Sequence, residues 1–104
     1  MSFDVVFSPA AEDDLVRLFD FLLDRAATVE DLDCAQAAIE AVQTAVLTQL
    51  SRSPFSFRKP GASSTRRELI IPFGATGYVA LYEIASPSLV VILAVRHQRE
   101  EDYH

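Results

Sequence analysis

Residues 89–95 read Leu-Val-Val-Ile-Leu-Ala-Val, seven apolar side chains in a row, and the run stops abruptly at Arg96. Its β-branched composition predicts a strand buried on both faces. Everything from Arg96 to His104 is polar or ionisable. A buried strand that ends in Arg96, His97, Arg99 and Tyr103 sets ionisable groups on a rigid support, the arrangement that binding and catalytic sites use.

A chain of 104 residues, half of them hydrophobic and about a quarter charged, is expected to form one domain with one modest core. Cys34 is the single cysteine, which excludes an internal disulfide and a cysteine-based metal cluster. Met1-Ser2-Phe3-Asp4 lacks the features of a signal peptide, and no run reaches the roughly 20 apolar residues of a membrane helix. The expectation is a cytoplasmic, reduced protein.

The net charge of −6 argues against nucleic-acid binding, but its distribution is uneven. Residues 1–50 hold two basic side chains, Arg17 and Arg25, against ten acidic ones. Residues 51–104 hold seven basic against five acidic, and Arg52, Arg58, Lys59, Arg66 and Arg67 follow one another with no acid among them. A local patch of that kind can attract an anion whatever the global charge.

Phe3 to Phe7 reads as a short strand. Ser8 caps and Pro9 starts a helix, with Glu12, Asp13 and Asp14 complementing the positive end of its dipole. Leu15, Leu18, Phe19, Leu22 and Ala26 follow at helical spacing. A second helix is expected from Thr28 or Asp31 to Leu50, with Ala35, Ala38, Ile39, Val42, Ala45, Val46 and Leu50 as its apolar stripe. The short link predicts an antiparallel helical hairpin, and Ser53-Pro54 ends it. Residues 51–65 form a loop. Strands follow at Arg66 to Ile71, closed by Pro72-Phe73-Gly74, at 77 or 78 to Ile84, and at 88–96 after Ser86-Pro87. The order is β-α-α-β-β-β, an α+β fold whose antiparallel sheet carries the αα-hairpin on one face and has the first strand at an edge. The other face is left partly open as a partner or substrate surface.

Several groups could carry chemistry. Arg66 and Arg67 point to opposite faces of their strand, one toward the rim of the helices. Either can hold a phosphate or carboxylate, or be a solvated strand start paired with Glu68 or Glu83. His97 can move a proton near neutral pH, and Arg96 can stabilise developing negative charge. A histidine after a strand is nevertheless more often structural than catalytic. Glu100, Glu101 and Asp102 read as a solvated charge run, unsuited to an RNA-binding tail. Cys34 reads as a small buried residue of the second helix. The two histidines, His97 and His104, have too few companions for a metal site, and no cofactor is expected.

Phe7-Ser8-Pro9-Ala10-Ala11-Glu12-Asp13-Asp14-Leu15 resembles the first strand and helix of the ParE/RelE toxins. Arg67-Glu68-Leu69, Gly77-Tyr78 and the run from Ile92 to Glu100 resemble their later strands. The resemblance spans nearly the whole chain in order and lies closer to ParE. It implies the toxin half of a type II toxin–antitoxin pair (the plasmid stabilisation proteins), neutralised by a cognate antitoxin laid over it. ParE-like members poison DNA gyrase. RelE-like members cleave mRNA in the ribosome with basic residues and a tyrosine or histidine on the sheet.

With a net charge of −6 and Lys59 as its single lysine, the chain departs from the strongly basic RelE pattern. The ParE-like reading therefore leads. Arg66, Arg67, Arg96 and Arg99 are then partner-binding candidates. Under the nuclease alternative, Arg67 and Arg96 would clamp the phosphate, and His97 or Tyr103 would transfer the proton.

Overall fold

Ser8 leaves the first strand, β1 (Asp4–Phe7), and its side-chain oxygen accepts the Ala11 N–H at 3.1 Å, with Pro9 in the first turn. Pro9 needs no hydrogen-bond partner there and its ring presets the helical φ, so α1 (Pro9–Arg25) starts where the sequence marks it. Only residues 26–28 separate it from α2 (Val29–Leu50). Thr28 accepts the Asp31 N–H at 3.1 Å, and the Asp31 carboxylate accepts the N–H groups of Ala27 at 2.9 Å and Thr28 at 3.2 Å. This capping box satisfies three donors at the link between the helices. The Ala27 amide, followed by the Thr28 contacts, outweighs desolvation and holds the Asp31 carboxyl below its ordinary range. This computed structural model describes residues 2–57 and 65–100.

After a short 3₁₀ turn (Pro54–Ser56), three strands complete the sheet: β2 (Arg66–Phe73), β3 (Thr76–Ser86) and β4 (Leu89–His97). Their order across the sheet is β1-β4-β3-β2. β2, β3 and β4 form the expected antiparallel meander, but β1 lies parallel to β4, from Asp4 opposite Leu89 to Phe7 opposite Ile92. The sheet is thus mixed rather than wholly antiparallel. Two helices and two strands intervene between β1 and β4, ample chain for a parallel crossover.

β2 runs two residues past its expected end and carries Pro72 within it. Ile84 donates to Thr65 O, so the odd-numbered residues of β2 bond to β3 and the even-numbered ones turn their backbone groups to the free edge. Pro72 is even-numbered, so its missing N–H breaks no ladder bond. Gly74 supplies φ +60° at the first position of the two-residue turn. Gly77 lies opposite Pro72, where a Cβ would collide with Ile71 O.

The core lies between the helical hairpin and one face of the sheet. Leu69, Ile71, Tyr78, Ala80, Tyr82, Val90, Ile92 and Val95 meet Ala11, Leu15, Leu18, Ala38, Val42, Val46 and Leu50. The other face is open at Val6 (46% exposed) and Ile70 (39%) but covered at Glu68, Val79 and Ala94, which are buried. The apolar run of β4 is therefore sealed on the helix side at Val90 and Ile92 and only half-buried at Leu89, Val91 and Leu93.

β1 ends opposite Ile92, which would leave the rest of β4 as an unpaired edge. Helix α1 takes over where β1 stops. Ser8 N–H donates to Ile92 O at 2.9 Å and Ser8 Oγ to Leu93 O at 3.3 Å. The buried Asp14 carboxylate accepts the Val95 N–H at 2.9 Å, and Arg17 donates to Val95 O at 3.4 Å. Glu100 then accepts the His97 N–H at 3.3 Å. Side chains thus close the edge that backbone pairing leaves open. Asp14→Ala strands the Val95 N–H in a buried site and is expected to cost about 1–3 kcal/mol, read as a lower urea midpoint at unchanged m-value. An unchanged midpoint would show that the edge is satisfied in another way.

Candidate functional site

Arg66 and Arg67 part as strand geometry requires. Arg66 lies on the open face with its Nε 3.8 Å from Glu83, an exposed pair of small energetic weight. Arg67 lies on the helix side, at the rim. It donates to Phe57 O at 2.9 Å, and its guanidinium carbon stands 5.9 Å from the centre of the Phe55 ring. Beside it the phenol of Tyr82 donates to Pro54 O. Arg67 and Tyr82 therefore tether the loop after α2 to the sheet.

Arg96 and His97 also part. Arg96 is on the open face, 3.9 Å from the buried Glu68 carboxylate, and it donates to Glu100 O at 2.6 Å, His97 O at 3.3 Å and Gln98 O at 3.4 Å. It thus clamps the turn after β4. His97 is on the helix side, edge-on to Tyr78 with ring centres 5.4 Å apart. Its Nδ1 accepts the Arg99 N–H at 3.1 Å, which leaves the ring proton on Nε2, 3.2 Å from Thr76 Oγ1. Both nitrogens are engaged.

The candidate clamp of Arg67 and Arg96 does not form one site. Arg67 stands opposite Tyr82 and Arg96 stands opposite Val79, three residues or about 10 Å further along β3, and they occupy opposite faces. Arg99 is exposed beyond the strand end, and Tyr103 lies outside the described residues, as do Arg58 and Lys59.

His97 and Arg99 instead belong to a cleft of about 780 Å³ that sequence reasoning did not find. Its walls are one face of α1 (Arg17, Leu18, Phe21, Leu22, Arg25), the first turns of α2 (Asp31, Cys34, Ala35, Ala38), the β2–β3 turn and the end of β4. Its α2 wall carries only small side chains, alanine and cysteine, beside Asp31. Cys34 is exposed, not buried as its helical position suggests. Arg25 stacks over Phe21 at 4.3 Å. The available sequence signal was Arg17, Phe21 and Arg25 at four-residue spacing, which places all three on one helix face.

A family model described as the ParE toxin of the type II toxin–antitoxin system parDE matches residues 5–102. This chain belongs to the ParE toxin family. The toxin is 38% identical over 96 residues to a protein named Toxin RelE3 from Caulobacter vibrioides (strain ATCC 19089 / CIP 103742 / CB 15), covering 92% of this chain and 95% of that one. Its fold matches a structure titled as a chromosomal ParDE toxin–antitoxin system from P. aeruginosa, with a TM-score of 0.70 at 14% identity over 92% of this toxin and 96% of that chain. It also matches the toxin–antitoxin complex RelBE2 from Mycobacterium tuberculosis, with a TM-score of 0.60 at 25% identity over 93% and 99% of the two chains. No helix among the toxin's described residues is long and apolar enough to cross a membrane.

Proposed function

We propose that this toxin arrests growth by binding DNA gyrase in the cytoplasm, without cutting nucleic acid, and that a cognate antitoxin neutralises it. The observation that carries the reading is the dispersal of the described candidates, Arg67, Arg96 and His97. In-line cleavage of RNA needs a base, a phosphate clamp and an acid gathered at one scissile bond. Arg67 is instead tied to Phe57 O, Arg96 to Glu68 and the turn carbonyls, and both nitrogens of His97 are engaged. Inhibition by binding needs no such convergence. The net charge of −6 likewise favours a protein target over RNA.

Purified toxin is expected to block gyrase supercoiling or trap cleaved DNA, and inducing its gene alone is expected to stop growth. Gyrase left fully active by excess toxin would refute the target. The alternative is a ribosome-dependent endoribonuclease, supported by the RelE name of the relative at 38% identity. That reading requires cutting of ribosome-bound mRNA that falls sharply in His97→Ala.

A further inference from the structure

The helical hairpin also carries a groove on its outer side, away from the sheet. It encloses about 290 Å³ between Phe19 of α1 and Ile39 of α2, with Gln36, Glu40 and Gln43 along the α2 side. Phe19 and Ile39 are half-buried and form an apolar floor, while the two glutamines and Glu40 are exposed. Helical spacing lengthens this floor. Val16 and Leu23 fall on the Phe19 face of α1, and Leu32 falls on the Ile39 face of α2. Val16 is 60% exposed and Leu32 46%, so the core uses neither of them fully.

The rim of the groove is acidic. Glu12 and Asp20 lie one turn on either side of Val16, and Asp33 stands two turns before Glu40. All of these carboxylates are exposed, and none forms an ion pair with a described residue. Glu40 accepts only the Gln36 side-chain amide, at 3.2 Å. Helix α2 contains no lysine or arginine. The two arginines of α1, Arg17 and Arg25, both line the cleft beside the end of the sheet, not this groove. The hairpin thus sorts its charges, bases toward the cleft and acids along the outer groove.

That sorting selects the occupant. A second copy of the chain would bring the same acids against these, and a nucleic acid would bring phosphates. The complement is a protein segment with an apolar anchor at its centre and lysines or arginines around it. An enzyme that handles DNA carries cationic surface of this kind, because it must neutralise phosphates. Resting on the gyrase reading, we propose that the outer groove of the hairpin is the surface with which the toxin grips gyrase. A basic segment of gyrase seats an apolar side chain on Phe19 and Ile39, and its cations pair with Asp20 and Glu40.

The probe is purified gyrase, titrated with wild-type toxin and with Asp20→Lys, Glu40→Lys, Val16→Glu and Asp4→Lys variants. Asp20→Lys and Glu40→Lys are each expected to weaken the Kd, and to raise the toxin concentration that half-inhibits supercoiling, by about tenfold. Val16→Glu sets a charge on the apolar floor and is expected to do the same. Asp4→Lys makes the same charge change at an exposed position of β1 and is expected to leave both values unchanged. Wild-type affinity is expected to fall as salt rises, and that of the Asp20→Lys/Glu40→Lys double variant to fall less. All the altered side chains are exposed, and thermal melts verify that each variant is folded.

Inhibition of gyrase at wild-type strength by the double variant and by Val16→Glu overturns the groove assignment and leaves the gyrase reading standing. An equal loss in Asp4→Lys reduces the effect to net charge and also overturns it. So does a wild-type toxin that sediments as a dimer held by this face, with Val16→Glu monomeric. If wild-type toxin neither binds nor inhibits gyrase, the gyrase reading fails and the groove assignment falls with it.

Discussion

Arg96→Ala is expected to unfold or severely destabilise the toxin, lowering its melting temperature by on the order of 10 °C or more. The guanidinium is nearly enclosed on the open face and joins two parts of the chain. One is Glu68 on β2, 8% exposed and 3.9 Å away; the other is the turn after β4, through the carbonyls of His97, Gln98 and Glu100. Removing one member of a buried ion pair typically costs about 3–5 kcal/mol, because the remaining charge loses its counter-charge while staying desolvated. The length of this pair argues for the lower end of that range, and the lost carbonyl contacts add to it. Arg96→Lys keeps the charge but not the fork that reaches several acceptors, so it is expected to fall between the two. A phosphate-clamping Arg96 predicts a different result: toxicity lost at an unchanged melting temperature. Paired melts and growth assays on the two variants separate these outcomes.

Tyr82 governs the second large effect. It is fully buried, the largest of the side chains sealed in the core, and its phenol secures Pro54 O at the start of the loop after α2. Tyr82→Ala is expected to cost about 3–5 kcal/mol for the cavity alone, a large share of a total stability of about 5–15 kcal/mol. Tyr82→Phe keeps the ring and loses only the hydrogen bond, at about 1–3 kcal/mol.

The phenol also makes stability depend on alkaline pH. Burial pushes the Tyr82 phenol up to about 12, against the opposing pull of the Arg67 guanidinium. An unfolded tyrosine titrates near 10. The raised folded value means that the contribution of the neutral phenol is complete below pH 10. It is lost as pH rises from there through about 12, by on the order of 2 kcal/mol. Urea midpoints of wild type and Tyr82→Phe are therefore expected to converge as pH climbs above 10. A gap that stays constant to pH 12 would show that the phenol titrates alike in the folded and unfolded chains.

Local chemistry explains why the elements could be read without the structure. Ser8-Pro9 leads straight into α1, and Thr28 with Asp31 starts α2 as a capping box, because caps act within four residues of chain. The helix-facing residues of α2 follow their period for the same reason, whereas β4 breaks its alternation at Leu93, so that Val90 and Ile92 and then Val95 and His97 face the helices. One boundary that moved, the end of β2, depended on an edge position for Pro72 that only the order of the strands supplies, and β3 likewise runs to Ser86, two residues past its expected end. The parallel register of β1 on β4 belongs to the same class. It joins residues more than eighty positions apart, and no pattern within either strand encodes it.

The candidate site divides along the same line. Alternation along a strand sends Arg66 and Arg67 to opposite faces, and the same rule separates Arg96 from His97. Applied across the strands, that rule also puts Arg67 and His97 on the helix side and Arg96 on the open side. It needs the register between β2, β3 and β4 to do so, and register is a property of the assembled sheet. The cleft depends still more on assembly, since its walls come from both helices, the β2–β3 turn and the end of β4. The sequence alone therefore determined the helices and strands, which rest on short-range capping and periodicity, and its motifs carried the family likeness. The tertiary structure decided the parallel edge strand, the separation of Arg67 from Arg96 and the cleft beside Arg25 and Arg99, because each arises from contacts between residues distant in the chain.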